Sequence, residues 1–245
     1  MSKVNFMLRW NEASLFRKNH PRHIYKLGRL LRAWNGVLEE YEGAWRKVKI
    51  LPYIYNEQAE IGLLATAARD TQSLPFIEFS TQKIINGKRY VGRADLEIYW
   101  TEKLDWCLGI EAKPASISCS SRRRNKDLFF IIQEPLEEAR KCVKTIKKHY
   151  VDCMALVIGL LNHASDDFNR KQFCKDLFDA AWRLKADFCV IHFCDDEIWK
   201  NSWDKDCPGI ALIGKLYGKR ASKRGKAPLS FFPLSFDRRG GQGVR

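Results

Sequence analysis

A chain of 245 residues that is 45% hydrophobic can bury a core of its own, so wholesale disorder is excluded and one large domain, or a domain with an appended segment, is expected. Its 43 lysines and arginines against 29 acids leave a net charge of +14, which suits a polyanionic partner such as nucleic acid as well as it suits a solvated basic surface. Eight cysteines with no CxxC pair, no apolar leader in residues 1–16 and a longest apolar run of only residues 154–161 argue against a disulfide scaffold, a secreted chain and a membrane span, and the expectation is a cytoplasmic protein.

Residues 1–22 are mixed and carry no periodic signal. From Ile24 apolar residues recur at alternating spacings of three and four (Leu27, Leu31, Trp34, Leu38, Tyr41, Trp45, Val48), the stripe of an amphipathic helix. Asn35-Gly36 and Gly43 weaken its middle, so one helix or two can be drawn through it. Packing on its own domain is preferred for this stripe over a homodimer interface. Pro52 suits the first turn of a second helix reaching Arg69, with Ile54, Ile61, Leu64, Ala65 and Ala68 inward. Glu57 falls in the middle of that stripe. Glu60 falls at its edge, where an ordinary surface acid is the expectation.

An extended run from Pro75, PFIEFSTQKII, leads to Asn86-Gly87, a strong hairpin signal. A strand from about Arg89 to Trp100 and another from Trp106 to Lys113 follow, the second expected to stop at Pro114. The basic stretch around Arg122, Arg123, Arg124 and Lys126 precedes a helix over about 128–149, with Pro135 at an early turn or kink. The run CMALVIGLL (153–161) reads as a fully buried strand, then come a helix over 169–185 and a strand over 188–194. Cys189, His192 and Cys194 lie along that last strand without a second ligand pair, so core packing is preferred there to a zinc site. From Lys215 onward nine basic residues stand against one acid, which reads as a basic arm. The division expected is an N-terminal helical segment (1–49), a core (50–199) and a basic, partly flexible C-terminal segment (200–245). Strands alternating with helices imply an α/β fold whose parallel or mixed sheet is covered on both faces.

The chemistry concentrates in RYVGRADLEIYWTEKLDWCLGIEAKP (89–114). Ala94, Leu96, Ile98 and Trp100 alternate with Arg93, Asp95 and Glu97; Trp106, Leu108, Ile110 and Ala112 alternate with Asp105, Glu111 and Lys113. A period of two puts each set on one side of a sheet. With Trp100 opposite Trp106, Asp95 comes opposite Glu111, with Cβ atoms roughly 4.5–5.5 Å apart. Two carboxylates so close repel unless a cation lies between them, and hard oxygen donors suit Mg²⁺ or Mn²⁺. Lys113, on the same face, can orient or acidify an attacking water or offset charge on a phosphate.

Asp95, followed sixteen positions later by Glu111-Ala112-Lys113, resembles the PD-(D/E)xK superfamily of restriction-endonuclease-like nucleases. The matching element order spans about residues 52–161. Gly92-Arg93-Ala94-Asp95 departs from a literal Pro-Asp, whereas the ExK part matches in full. The resemblance implies a restriction-endonuclease-like core, a central mixed sheet flanked by helices, that hydrolyses phosphodiester bonds, in DNA first of all, with Mg²⁺ or Mn²⁺. It implies metal ligands at Asp95, Glu111 and the backbone carbonyl of Ala112, with Lys113 acting on the water. A glutamate of the first core helix would complete the site, Glu57 or Glu60, with Glu57 favoured by helical phase. Gln133 would take an accessory polar role, and Arg122, Arg123, Arg124, Lys126 and the tail would meet phosphates. The competing readings are a nucleic-acid-binding or assembly protein that uses the fold without cleaving, and a phosphodiesterase for RNA or small nucleotides. No helicase, methylase or recognition domain is read on the chain, which leaves targeting to a separate protein. No G-x-S-x-G, H-E-x-x-H or G-x-x-x-x-G-K-[ST] motif points to another enzyme class.

Overall fold

In the computed structural model, residues 5–12, 21–48, 57–85, 88–101, 106–120, 128–146, 152–162, 168–195 and 208–218 are described. Among them the chain runs β1 (Phe6–Trp10), α1 (Pro21–Val48), α2 (Glu57–Asp70), β2 (Ser73–Ile85), β3 (Lys88–Trp100), β4 (Trp106–Ser118), α3 (Leu128–Ile146), β5 (Asp152–Asn162), α4 (Arg170–Arg183), β6 (Phe188–Phe193) and β7 (Gly209–Gly218). The seven strands form one mixed sheet in the order β1-β6-β7-β5-β4-β3-β2. Only β4 and β5 run parallel, joined through α3; every other neighbouring pair is antiparallel. This is an α/β fold, and among the described residues no helix is long and apolar enough to cross a membrane.

Alternation along the strands feeds two cores. Leu96, Ile98, Trp100, Leu108, Ile110, Ala112, Met154, Leu156 and Ile158 join α1 and α2 on one face. Cys153, Ala155, Val157, Cys189, Ile191 and Ile213 join α3 and α4 on the other. β5 and β6 are therefore covered on both faces, which is why they read as nearly unbroken apolar runs. The seven described cysteines are all free, five of them buried, in keeping with a reduced, core-filling role. Gly214 marks one tight spot: it sits opposite Phe188 in the β6–β7 register, and a Cβ there would run into the phenyl ring.

Several elements differ from the sequence reading. Phe6–Trp10, in a stretch without periodic signal, is an edge strand on β6. Gly209–Gly218, inside the stretch read as a basic C-terminal segment, is a strand lying between β6 and β5. The apolar residues Ile210, Ala211, Leu212 and Ile213 account for it, since they are fully buried against both cores. The first helix is one piece over 28 residues. Strand β4 does not stop at Pro114, which pairs with Ile158 of β5. The backbone N–H of Ala112 points toward β3, and by the strand period the missing N–H of Pro114 would point the same way, where the β3 ladder has already ended. Proline therefore costs no ladder bond. The Asn86-Gly87 turn lies outside the described residues, although the strand ends flanking it, Ile85 and Lys88, are paired.

The α1 stripe also carries a polar inset. Tyr41 is exposed, and Glu42 is buried in its place. Its carboxylate meets Nε2 of the fully buried His192 at 2.6 Å, while Asn35 Oδ1 meets Nδ1 at 2.7 Å. His192 is thus tied to α1 and, in its strand, faces away from Cys189, whose side chain lies in the opposite core. A zinc site at that strand is not formed. Glu42→Ala would leave a buried imidazole nitrogen without this partner, and we expect a loss of about 2 kcal/mol in urea unfolding at pH 7.

Candidate active site

The β3–β4 ladder pairs Trp100 with Trp106, the register expected from the sequence, and it runs only as far as Leu96–Ile110. One residue further along, the side chain of Asp95 takes over. Its Oδ2 accepts the backbone N–H of Ala112 at 2.7 Å. A carboxylate thus replaces the main-chain partner that the ladder would have supplied, at the point where two strands part. Residues 111 and 113 lie on either side of that anchored amide.

The cause of the parting lies on the other side of β3. Ile77–Leu96 and Phe79–Ala94 are paired, whereas Glu78 and Asp95 between them are not. Glu78 has φ 49°, a left-handed backbone that a non-glycine residue adopts only when its surroundings hold it there. Two contacts do so: Arg93 Nη1 donates to Glu78 Oε2 at 2.9 Å, and Gln58 Nε2 donates to Oε1 at 3.1 Å. The expected alternation of β3 breaks at the same place. Ala94 does not join Leu96, Ile98 and Trp100; it is buried in the α3–α4 core instead. The kink turns Asp95 toward β4. Sequence reading missed Glu78, because a left-handed residue leaves no signature in an otherwise regular strand.

Glu111 is buried, 2% exposed, and opposes Ala155 in the parallel ladder; Lys113 opposes Val157 and is half-buried. Ala155 and Val157 belong to the α3–α4 core, so Glu111 and Lys113 face that side, while Ala112 between them enters the α1–α2 core. Glu97 shares the face of Glu111 and is also buried. Tyr99 donates its hydroxyl to Glu97 Oε1 at 2.6 Å, and Cys107 donates its thiol at 3.0 Å. Burial raises the Glu97 pKa, and these two hydrogen bonds only partly oppose the rise. The motif-free acid of the strand is thus an integral part of the wall.

Glu60 takes an inward place. It is 1% exposed, and neither carboxylate oxygen meets a hydrogen-bond partner among the described residues. Burial alone raises its pKa to about 8. The surface role expected for Glu60 is therefore corrected: α2 packs on α1 as well as on β2, β3 and β4, and its buried surface extends over Glu60, Ile61, Leu63, Leu64, Ala65, Ala67 and Ala68, wider than the stripe drawn from sequence. Glu57 opens α2, and its side chain lies outside the described residues. The Gln58–Glu78 bond fixes the first turn of α2 beside the kink that carries Asp95.

Gln133 donates its side-chain amide to Glu137 on its own helix at 2.8 Å. Arg122, Arg123, Arg124 and Lys126, and the chain beyond Gly218, lie outside the described residues. Among the described residues no three His, Cys, Asp or Glu side chains gather as a metal-binding group. Asp95, Glu111 and the Ala112 carbonyl offer two carboxylates and one neutral oxygen, a set that suits Mg²⁺ when waters and phosphate fill the rest of its shell. No protein-family model, curated protein or solved structure matches the chain.

Proposed function

We propose that this chain is a metal-dependent nuclease of the PD-(D/E)xK type that hydrolyses phosphodiester bonds, with DNA as the first substrate to test. One observation carries the reading. The β3–β4 ladder gives way at Asp95, whose carboxylate is held by the Ala112 N–H between Glu111 and Lys113. A sheet stabilised only for its own sake would continue the ladder through backbone bonds and would not place three ionisable groups, all depleted in strands, at the split.

Asp95, Glu111 and the Ala112 carbonyl would hold Mg²⁺ or Mn²⁺, with Glu57 as a further acid; Glu60 does not group with Asp95 and Glu111 among the described residues and would join them only on binding the ion. The ion supplies polarisation of the phosphate and a more acidic bound water. The protein's own groups divide the remaining work. The Ala112 N–H orients Asp95 through Oδ2 and leaves Oδ1 for a further ligand. Lys113 would orient or acidify the attacking water, and its ammonium would offset the charge that builds on the phosphate oxygens. The half-buried setting of both groups strengthens these charge effects over those in open water.

The test is incubation of supercoiled plasmid, linear duplex and single-stranded DNA with Mg²⁺ or Mn²⁺. Cleavage is expected, with complete loss in EDTA, and Lys113→Ala is expected to slow it roughly 10²–10³-fold. Activity that survives both Lys113→Ala and Asp95→Ala sinks the site assignment. Salt-sensitive DNA binding with no turnover under either metal favours the non-cleaving reading. Cleavage of RNA in preference to DNA moves the substrate class.

A further inference from the structure

We infer that a basic cavity at the opposite edge of the sheet binds the phosphodiester backbone of a nucleic-acid strand. This rests on the polyanionic substrate proposed above and adds a surface that none of its motif residues touches. The cavity measures about 1000 Å³ and lies between edge strand β1 and the first three turns of α4. Its lining includes Arg9, Arg170, Lys171 and Lys175 against a single acid, Asp179.

These cations are not equivalent. Arg170 is committed to the fold, with Nη1 3.4 Å from Asn5 Oδ1, Nη2 3.2 Å from the Cys194 carbonyl, and its guanidinium over the Phe193 ring. Arg9 is exposed at the rim, its guanidinium 4.8 Å from the centre of the Phe178 ring, so an aromatic floor holds a flat cation in place. Lys171 and Lys175 are exposed, and their spacing of four residues stacks them on one side of α4. Among the described residues neither lysine forms an ion pair. The N-terminal end of α4, capped by Asn169, adds the positive end of its helix dipole to the same mouth.

An open mouth with exposed cations from two separate elements suits a repeating chain of phosphates better than one small anion, which needs buried donors converging on a point. A nucleic acid is favoured over an acidic peptide by location as well as by the net charge of +14. Helix α4 covers the sheet face to which Glu111 and Lys113 also belong. In the strand order, β4 and β1 are four steps apart, roughly 19 Å at the usual strand spacing. A stacked strand covers that span in about six nucleotides at ~3.4 Å each. One strand can therefore reach from the candidate active site to this cavity.

The measurement is fluorescence anisotropy of a labelled twenty-nucleotide oligothymidylate with the full chain in EDTA, over a salt series. Lys171→Ala/Lys175→Ala changes two exposed helical positions to the best helix former, so folding is preserved. This variant is expected to bind about tenfold more weakly at 0.1 M salt. The slope of log K against log salt should become shallower by about 1.4, at ~0.7 per phosphate. Arg32→Ala/Arg69→Ala, an equal charge loss at exposed positions on α1 and α2, should stay within about twofold of wild type. Three results overturn the inference: unchanged affinity and slope in the lysine variant, an equal loss in the arginine control, or polyglutamate competing as well as the oligonucleotide. Because EDTA removes any dependence on cleavage, a chain that binds here and cuts nothing defeats the nuclease reading alone. A chain that cuts while the lysine variant binds normally defeats this surface alone.

Discussion

Asp95→Asn is expected to slow DNA cleavage at least about a hundredfold while leaving the thermal midpoint within about 2 °C of wild type. The two halves of that result follow from the two jobs of the side chain. Structurally, Asp95 is an acceptor: its Oδ2 satisfies the Ala112 N–H where the β3 ladder no longer can. An asparagine carbonyl accepts the same bond at the same reach, so β3 and β4 keep their arrangement. Chemically, Asp95 is a negative charge, and an amide does not replace it as a ligand for a hard cation. Asp95→Ala separates the jobs from the other side. It removes charge and acceptor together, leaves a strand amide unsatisfied and should cost an additional ~1–3 kcal/mol. For a chain of this size that is roughly 2–10 °C in midpoint. Cleavage assays and thermal melts on the two variants in parallel read both effects. Wild-type turnover in Asp95→Asn would mean that the residue is only a structural acceptor, and the metal-site proposal would go with it.

What could be read from the sequence followed from periodicity, and what escaped it followed from its interruptions. The facing of Trp100 and Trp106 came from counting across a short loop, and the register is as counted. The apolar face of β4 came from the strand period, and Leu108, Ile110 and Ala112 are buried together. β3 obeyed the same period only until Asp95. There the left-handed Glu78, clamped by Arg93 and Gln58, kinks the hairpin and sends Ala94 into the other core. No local rule marks a glutamate for that conformation; it is imposed by contacts 15 and 20 residues away in sequence. Strand β7 was hidden for a different reason. Its apolar run is short and borders a strongly basic stretch, so composition outweighed pattern, although its neighbours β5 and β6 need a strand between them to satisfy their edges. The buried Glu42–His192–Asn35 set was equally hidden, since each member sits in a helix or strand whose neighbours are apolar and its partners are distant in sequence.

Glu60 shows how the same feature connects stability to function. Its carboxyl has a pKa raised from 4.5 to about 8 by burial, with no opposing hydrogen bond among the described residues. In the unfolded chain it ionises near 4.5. Between those two values the native state holds a proton that the unfolded state has lost. Stability from this group is thus fully present below about pH 4.5, falls as pH rises and is exhausted above about pH 8. The cost at high pH is on the order of 5 kcal/mol. Glu60→Gln mimics the protonated form at every pH. It should match wild type at pH 4 and melt roughly 10 °C higher at pH 8.5. A cation at the site reverses the balance, because an ionised Glu60 then has a partner. If Glu60 is a ligand, excess Mn²⁺ should raise the wild-type midpoint at pH 8.5 by several degrees and leave Glu60→Gln unmoved. Equal midpoints for the two proteins at pH 8.5 without metal would show that the carboxylate is already paired in solution. A gain from Mn²⁺ that persists in Glu60→Gln would assign the ion to Asp95 and Glu111 without it. Only the combination of a stabilising substitution and a lost metal response makes Glu60 an acid kept at a cost in stability for what it binds.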